Sequence, residues 1–366
     1  MKNYKKLGEI VKLIDERNKD EKVQTLIGVS IEKCFIKSVA NTIGTDLSKY
    51  QIIRKNDFAC SLMQVSRDGK IPIACLKDYD EAIMSPAYYI FRIKNTDEVL
   101  PDYLSMWFMR TEFDREASYI AVGGVRGSMP WEDFCDMKLP VPDLKEQEKI
   151  VNTYNVITKR IQLKQKINEN LEKTAQCIYK KMFVEDADEK WETKQLGDII
   201  NCFDSQRIPL SEEERANLKG FFPYYGAMSI VDYINSYIFD GDYILFSEDG
   251  INVVDEQGHP ALQFLHGKFW LNNHAHILQG NDIISNELLY LQLKNTNVRH
   301  LVTGAAQPKI NQKNMNSIEL IIADKITTVE INKLIKPLFN YISFNEKEIA
   351  KLQELKQLVI SRISGM

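Results

Sequence analysis

The sequence predicts an α/β (α+β) fold assembled from an internal repeat: a globular domain, a long helix, a second globular domain and a second long helix. Three observations carry this prediction. Positions spaced alternately four and three apart from Ile150 to Met182 are apolar at eight of ten places, which is the period of a coiled-coil stripe. The same stripe returns 181 residues later, from Ile331 to Ile363, again apolar at eight of ten places. Between the stripes, turn signals such as Asp68-Gly69, Asp240-Gly241 and Asp249-Gly250 separate short β-branched or aromatic runs, the pattern of strands joined by tight turns.

The first domain, 1–146, opens with Leu7, Ile10, Val11 and Ile14 at helical spacing and contains a strand-like run from Ile71 to Leu76. The central helix, 147–185, places Ile157, Ile161, Lys164, Asn168 and Leu171 on its seam, and the second domain, 186–324, concentrates twelve aromatic residues between Phe221 and Trp270. The last helix, 325–366, repeats the seam with Leu338, Ile342, Asn345, Ile349 and Leu352, followed by a polar Lys356. One such stripe could simply cover its own domain. Two matched helices of about 37 residues, each roughly 55 Å long at 1.5 Å per residue, are too long to hide that way and are expected to pack on each other. Pro337 either kinks the second helix or marks its start.

The repeat extends into the domains at shifts of 181 to 189 residues. Leu7-Gly8-Glu9-Ile10-Val11 is answered by Leu196-Gly197-Asp198-Ile199-Ile200, Lys55-Asn56-Asp57-Phe58 by Asp240-Gly241-Asp242-Tyr243, and the stretch from Gly123 to Leu139 by that from Gly304 to Leu320. Two copies of one unit suggest two equivalent tasks.

Composition narrows the class. The 366 residues are 44% hydrophobic and 27% charged, the range of ordinary globular proteins. No run approaches the roughly 18 uncharged apolar residues of a membrane span, and the basic start leads into no apolar signal core, so a cytoplasmic location is expected. Six cysteines at irregular intervals, without a C-x-x-C pair, are expected to be reduced and mostly buried thiols rather than a zinc ribbon or a disulfide frame.

Catalytic constellations are sparse. No phosphate-binding G-x-x-x-x-G-K-[ST] occurs, Gly267-Lys268-Phe269 lacking both the hydroxyl and the upstream glycine. All five histidines lie in the second domain, and His274-Ala275-His276 would put two imidazoles on one face of a strand, yet a zinc site needs further ligands and no metal is expected. Asp102, Asp143 and Lys145 faintly resemble the acidic pair and lysine of a metal-dependent nuclease, although Asp143 after Pro142 stands where a helix cap belongs. What remains are glycine-rich polar turns at matching places, Gly123-Gly124-Val125-Arg126-Gly127-Ser128 and Gly304-Ala305-Ala306-Gln307-Pro308-Lys309. Small residues allow close backbone approach, while Arg126, Gln307 and Lys309 can donate to phosphates or base edges.

These residues resemble the specificity (S) subunit of type I restriction-modification systems, and the resemblance covers essentially the whole chain. In the first domain it rests on the run from Leu26 to Ile31, on Val65 through Ile73, on Ser85-Pro86-Ala87-Tyr88, Trp131-Glu132-Asp133-Phe134 and Leu139-Pro140-Val141-Pro142, and on the turn at Gln147. In the second it rests on Pro223-Tyr224-Tyr225-Gly226-Ala227, the run from Asp240 to Leu245, Glu248-Asp249-Gly250, Gly267 through Trp270 and Asn272 through His276. The resemblance implies two target recognition domains, each reading one half of a split double-stranded DNA target, and spacer helices that pair antiparallel with pseudo-twofold symmetry. It implies no catalysis by the chain itself. Two DNA methyltransferase (M) subunits are the expected partners, with restriction/translocase (R) subunits in the complete enzyme; S-adenosylmethionine, ATP and magnesium are expected on those subunits and no cofactor on this chain. The second helix departs from the pattern: where Pro140, Pro142 and Gln147 open the first, it has Ile321, Ala323 and Thr328.

Side chains and turn residues with the right chemistry for DNA contact are Lys33, Arg67, Gly124, Arg126, Ser128, Tyr225, Asn272, Asn273, His274, Ala306, Gln307 and Lys309, the two glycine-rich turns weighing most. Antiparallel helices of roughly 55 Å would set about 16 base pairs between the half-sites as an upper bound. The net charge of −4 hides an uneven distribution: −1 over 1–146, +4 over 147–185, −10 over 186–324 and +3 over 325–366. The acidic second domain points to a reader that relies on its partners for much of the phosphate grip. The competing readings are a stand-alone metal-dependent nuclease using Asp102, Asp143 and Lys145, and an adaptor whose domains recognise protein.

Overall fold

The computed structural model describes residues 4–38, 46–63, 65–124, 127–250, 253–304 and 307–365. The chain divides into two compact units, one formed by Met1–Gln162 with Ile349–Met366 and the other by Leu163–Glu348. Each unit contains a globular domain and a stretch of both long helices.

In the first unit a four-stranded antiparallel sheet runs in the order Val11–Ile14, Tyr89–Ile93, Phe58–Cys60, Ile73–Cys75. Its core is aromatic, with Phe58 stacked on Phe91 at 5.3 Å and Phe108 and Phe134 packed against Phe91. The opening apolar residues at helical spacing do not form one helix. Leu7–Ile10 makes a single helical turn, and Val11 then turns extended, at φ −111°, to pair with Ile93; the β-branched residue and a waiting sheet edge override the period. The run from Ile71 to Leu76 narrows to a strand of Ile73–Cys75, Pro72 having no N–H to give a ladder.

The second unit carries a six-stranded sheet in the order Ile200–Cys202, Ala275–Gly280, Phe239–Ser247, Leu262–Leu271, Lys219–Tyr225, Ile230–Ile234. All its neighbours are antiparallel except the second pair from the far edge, where Tyr224 and Tyr225 run parallel to Trp270 and Leu271. The repeat is visible in local geometry. Leu196–Ile199 is again one helical turn, and Leu196 N–H donates to the Ile318 carbonyl at 2.7 Å as Leu7 N–H does to Met137 at 2.8 Å. A strand precedes each turn and pairs with the strand before each long helix, Tyr4–Lys6 with Lys138–Pro140 and Glu192–Gln195 with Glu319–Ile322.

The long helices are Leu144–Lys180, continued by a wider π turn over Lys181–Glu185, and Lys325–Gly365. No seam position of either helix is solvent-exposed, so the 4-3 alternation marks the buried face. In the first unit Ile150 and Val151 join Ile360 and Ile363 in the domain core, and Lys356 lies 4.8 Å from the Tyr154 ring centre. In the second, Ala175 and Tyr179 meet Ile331, Ile335 and Phe339. There Lys164 bonds both Asn345 and Glu348 while Asn168 bonds Asn345; as one helix ascends the other descends, so the pairing is antiparallel. Pro337 marks no start. It sits on the exposed face, inside the helix, where the backbone bond that a proline cannot donate is lost on the solvent side rather than in the seam.

The two helix starts differ as their sequences do. Gln147, fully buried, accepts from Leu100 N–H at 2.9 Å and donates to the carbonyls of Glu98 and Pro142 at 2.8 Å each. At the second helix Thr328 stands in place of Gln147 and makes one 3.3 Å bond to the Ala323 carbonyl, while the aspartate cap is common to both: Asp324 accepts from Ile326 and Thr327 N–H at 2.8 and 3.0 Å. All six cysteines are free thiols, but only Cys60 is buried; Cys34 and Cys177 are exposed and the others are intermediate, which corrects the expectation of mostly buried thiols. Among the described residues no helix is long and apolar enough to cross a membrane.

Candidate nucleic-acid interface

In the first unit the glycine-rich turn follows the helix Thr111–Ile120. Gly124 N–H donates to the Ala121 carbonyl and Gly127 N–H to that of Gly124, both at 3.0 Å. Gly127 has φ +74°, and a Cβ there would collide with the Ser66 hydroxyl. That close approach sets the turn against the single helical turn Val65–Asp68, whose Arg67 is 66% exposed and pairs with its neighbour Asp68 at 2.9 Å. Arg67, Gly124 and half-buried Ser128 thus come together; Arg126 lies outside the described residues.

Lys33 does not join them. Its side chain is 9% exposed, its ammonium bonds both Asp114 oxygens at 2.7 Å and the Phe108 carbonyl, and it lies over the Phe113 ring at 5.3 Å. A cation so occupied cannot donate to DNA, and Lys33 is a core tie rather than a contact residue.

The second unit assembles a larger polar cluster at the matching place. Thr303 and Lys309 exchange two backbone hydrogen bonds of 2.8 Å, closing a loop in which Gly304 has φ +85° and Gln307 is exposed. The loop is laid on the segment after strand Phe239–Ser247: Ile310 N–H donates to the Glu248 carbonyl at 2.9 Å, and Gly250 N–H to that of Pro308 at 3.3 Å. The same segment holds the start of strand Ala275–Gly280, since Glu248 N–H donates to the His274 carbonyl at 3.0 Å and His274 Nδ1 faces Asp249 at 3.0 Å. Asn273 and His274 are exposed; half-buried Asn272 turns its side-chain oxygen to His274 N–H at 2.9 Å. Asn272, Asn273, His274, Gln307 and Lys309 therefore share one edge, and Ala306 lies outside the described residues.

Tyr225 needs correction. Its ring is buried against Phe269 at 5.8 Å, and burial pushes its phenol up to about 12. It supports the edge through its backbone carbonyl, which accepts from Asn272 N–H at 3.1 Å.

Beneath the edge lies a network that sequence reading missed. His276, almost wholly buried, presents Nδ1 to Asp204 at 2.5 Å and Nε2 to the Ile310 carbonyl at 3.0 Å. Arg207 donates to Glu248 at 2.9 Å and to the Ala275 carbonyl at 2.8 Å and lies 3.4 Å from Asp204, while Lys309 reaches the other Glu248 oxygen at 2.9 Å. Asp204, Glu248 and His276 bring one potential metal ligand each within 4.8 Å of one another. Their oxygens are already taken by two fixed cations and an imidazole, so the charge balance disfavours a further cation. Burial pushes the Glu248 carboxyl upward, but bonds from Lys309 and Arg207 outweigh it and hold the group below its ordinary value. Nothing in the sequence joins Arg207 to residues 41 and 68 places away.

The carboxylates of the nuclease reading have structural partners: Asp102 pairs with Lys77 at 2.7 Å, and Asp143 caps the first long helix through Glu146 N–H at 2.9 Å.

Comparison with known proteins decides the family. A family model described as type I restriction modification DNA specificity domain matches residues 2–173 and again 188–354. The chain belongs to this family. Among relatives of the specificity-domain family, a putative type I restriction enzyme specificity subunit of Haemophilus influenzae is 31% identical over 147 residues, 40% of this chain and 37% of that protein. The MjaIX specificity subunit of Methanocaldococcus jannaschii is 21% identical over 322 residues, covering 78% of this chain and 69% of that one. The chain thus spans little more than a third of the Haemophilus relative's length. In fold, the type I restriction-modification S subunit of M. genitalium is similar with a TM-score of 0.56 at 15% identity, over 99% of this chain and 96% of that one.

Proposed function

We propose that this chain is the non-catalytic DNA-recognition subunit of a type I restriction-modification complex, reading a bipartite double-stranded target with one domain per half. The observation that carries the reading is the recurrence, in two family-matched domains, of a close-turning glycine loop set beside exposed donors: Arg67 in one, Gln307, Lys309, Asn273 and His274 in the other. Donors on short, pinned loops suit base-edge readout, where geometry discriminates and affinity comes largely from phosphate contacts.

The helices serve partner docking in this reading. In the second unit they leave Leu163, Ile167, Leu334, Tyr341 and Phe344 exposed, more apolar surface than a free helix pair needs. Methyltransferase subunits would cover it and would hold S-adenosylmethionine, with ATP and magnesium on motor subunits, all in the cytoplasm. The acidic second domain requires that those partners supply much of the salt-sensitive grip.

The test is co-expression with the cognate methyltransferase subunit and mapping of methylated adenines. A split motif with an unread spacer is the expected result, together with weak DNA binding by the isolated chain. Methylation without any sequence preference would favour the adaptor reading, and DNA cleavage by the pure chain with magnesium the nuclease reading.

A further inference from the structure

The buried ions under the second loop border the apolar core, His276 standing on the same sheet face as Ile244, Phe246 and Leu278 with its ring 6.2 Å from that of Phe246, but packing of that core has no need of their charge. They converge instead on the two ends of the candidate reading edge. Lys309 and Ile310 close the Gln307 loop, and each is held by one member: Lys309 by the Glu248 carboxylate, and the Ile310 carbonyl by His276 Nε2. Asn273 and Ala275, at the strand start that carries His274, are held by Arg207, whose Nη1 meets their carbonyls at 3.5 and 2.8 Å. Asp204 ties His276 to the Ile277 N–H, at 2.5 and 3.0 Å.

We infer that Arg207, Glu248 and His276 are positioning residues for recognition of one half-site: a buried ion network fixes the Gln307 loop and the Asn273-His274 edge relative to each other, so that both present to DNA as one rigid surface. The inference rests on the reading of the chain as a DNA specificity subunit. Side-chain exposure supports the assignment, since Arg207 is 14% and Glu248 13% exposed, too enclosed to reach a base, whereas Lys309 is 45% exposed. Loops that read bases lose discrimination when displaced by about an ångström, because hydrogen-bond energy falls steeply with distance and angle.

The sign of the charge effect separates positioning from general electrostatics. Glu248→Gln removes a negative charge near DNA, which by itself would strengthen binding to any sequence. Positioning predicts the reverse for selectivity. The experiment uses the full chain assembled with its methyltransferase subunit and duplexes carrying single-base changes in each half of the mapped motif. Glu248→Gln and Arg207→Gln are expected to reduce discrimination at least tenfold in one half, the same half that Gln307→Ala relaxes, while the other half stays within twofold. Unchanged discrimination in an assembled Glu248→Gln complex, or equal loss in both halves, overturns the inference.

Should the buried variants fail to assemble, Lys309→Met decides through its salt dependence. Loss of positioning lowers discrimination in that half with the salt slope unchanged; uniform weakening with a slope smaller by about one would make Lys309 a plain phosphate contact and overturn its place in the network. A wild-type complex that methylates no split motif would bring down the functional reading itself, an outcome distinct from either.

Discussion

The Lys164 ammonium donates to the Asn345 side-chain oxygen at 2.8 Å, and Asn345, wholly buried in the helix seam, donates in turn to Asn168 at 2.7 Å. Glu348 completes the set, 2.9 Å from Lys164. A polar triad inside an apolar seam is satisfied in only one register, because a slip of one heptad would strand each group against hydrocarbon. Asn345→Ala leaves the Asn168 oxygen without its donor and removes one partner of Lys164, and is expected to cost about 1–3 kcal/mol. A lowered thermal midpoint for the full chain checks it; a midpoint unchanged within error refutes the role.

The unequal helix starts give a second prediction. Gln147→Ala orphans the Leu100 N–H and the carbonyls of Glu98 and Pro142, all at a site the wild type buries fully, with an expected loss of about 2–4 kcal/mol from several unmet groups. Thr328→Ala, at the corresponding place, removes one 3.3 Å bond to the Ala323 carbonyl and should cost less than about 1 kcal/mol. Paired urea titrations compare the two. Equal losses would mean that the helix starts are held alike despite their different contacts.

Much of this architecture was legible in the sequence because it is periodic. The heptad seam specified which face of each helix is buried, and the 189-residue shift from Leu7 to Leu196 matched two segments that fold alike. The one-turn helix followed by Val11–Ile14 was not legible, since four residues carry too little period to separate a helix from a strand that a sheet edge will claim. At the candidate interface, loop composition singled out Gln307 and Lys309 as candidates. It could not tell that the Lys33 charge is spent on Asp114 or that the Tyr225 ring turns inward, because both depend on residues far along the chain. Arg207 was invisible for the same reason: its partners lie on two other segments.

Lys33 supplies a prediction opposite to that of a DNA contact. Lys33→Ala leaves the Asp114 carboxylate, 10% exposed, with the Ile71 N–H at 3.2 Å but without its cation. Breaking a buried pair from one side costs about 3–5 kcal/mol, so the variant should unfold at markedly lower urea while any complex that still assembles reads an unchanged motif. A stable variant with a relaxed motif would restore Lys33 to the interface.

Acid should loosen the second unit through the same network that positions its loop. Burial works to raise Asp204 and Glu248, but the bonds from His276 to Asp204 and from Lys309 and Arg207 to Glu248 prevail, and both carboxyls sit below their ordinary values. A carboxyl with a depressed folded value adds stability that is fully present above its unfolded value and is lost as pH falls through the folded one. The expected result is a thermal midpoint that drops as pH is lowered below about 4, with a shallower drop in Glu248→Gln, which has one such group fewer. Parallel curves for the two proteins would remove Glu248 from the acid response.

Gln307 gives the most direct reading of the interface. It is exposed on a loop closed by the Thr303 and Lys309 bonds, and its backbone carbonyl lies where a Cβ on Gly304 would collide; the loop conformation therefore depends on its backbone and not on the Gln307 side chain. Gln307→Ala should leave folding and assembly intact and alter only what the amide meets on DNA. An amide that pairs with a base edge is worth about 1–3 kcal/mol of discrimination, so the methylated motif should become degenerate at one position of one half, by roughly 5- to 150-fold on that energy scale. Gly304→Ala, which must displace the loop, should damage the whole of that half. If Gln307→Ala leaves the motif unchanged while Gly304→Ala degrades it, the loop reads DNA through its backbone and neighbours; if neither changes it, the loop lies outside the interface.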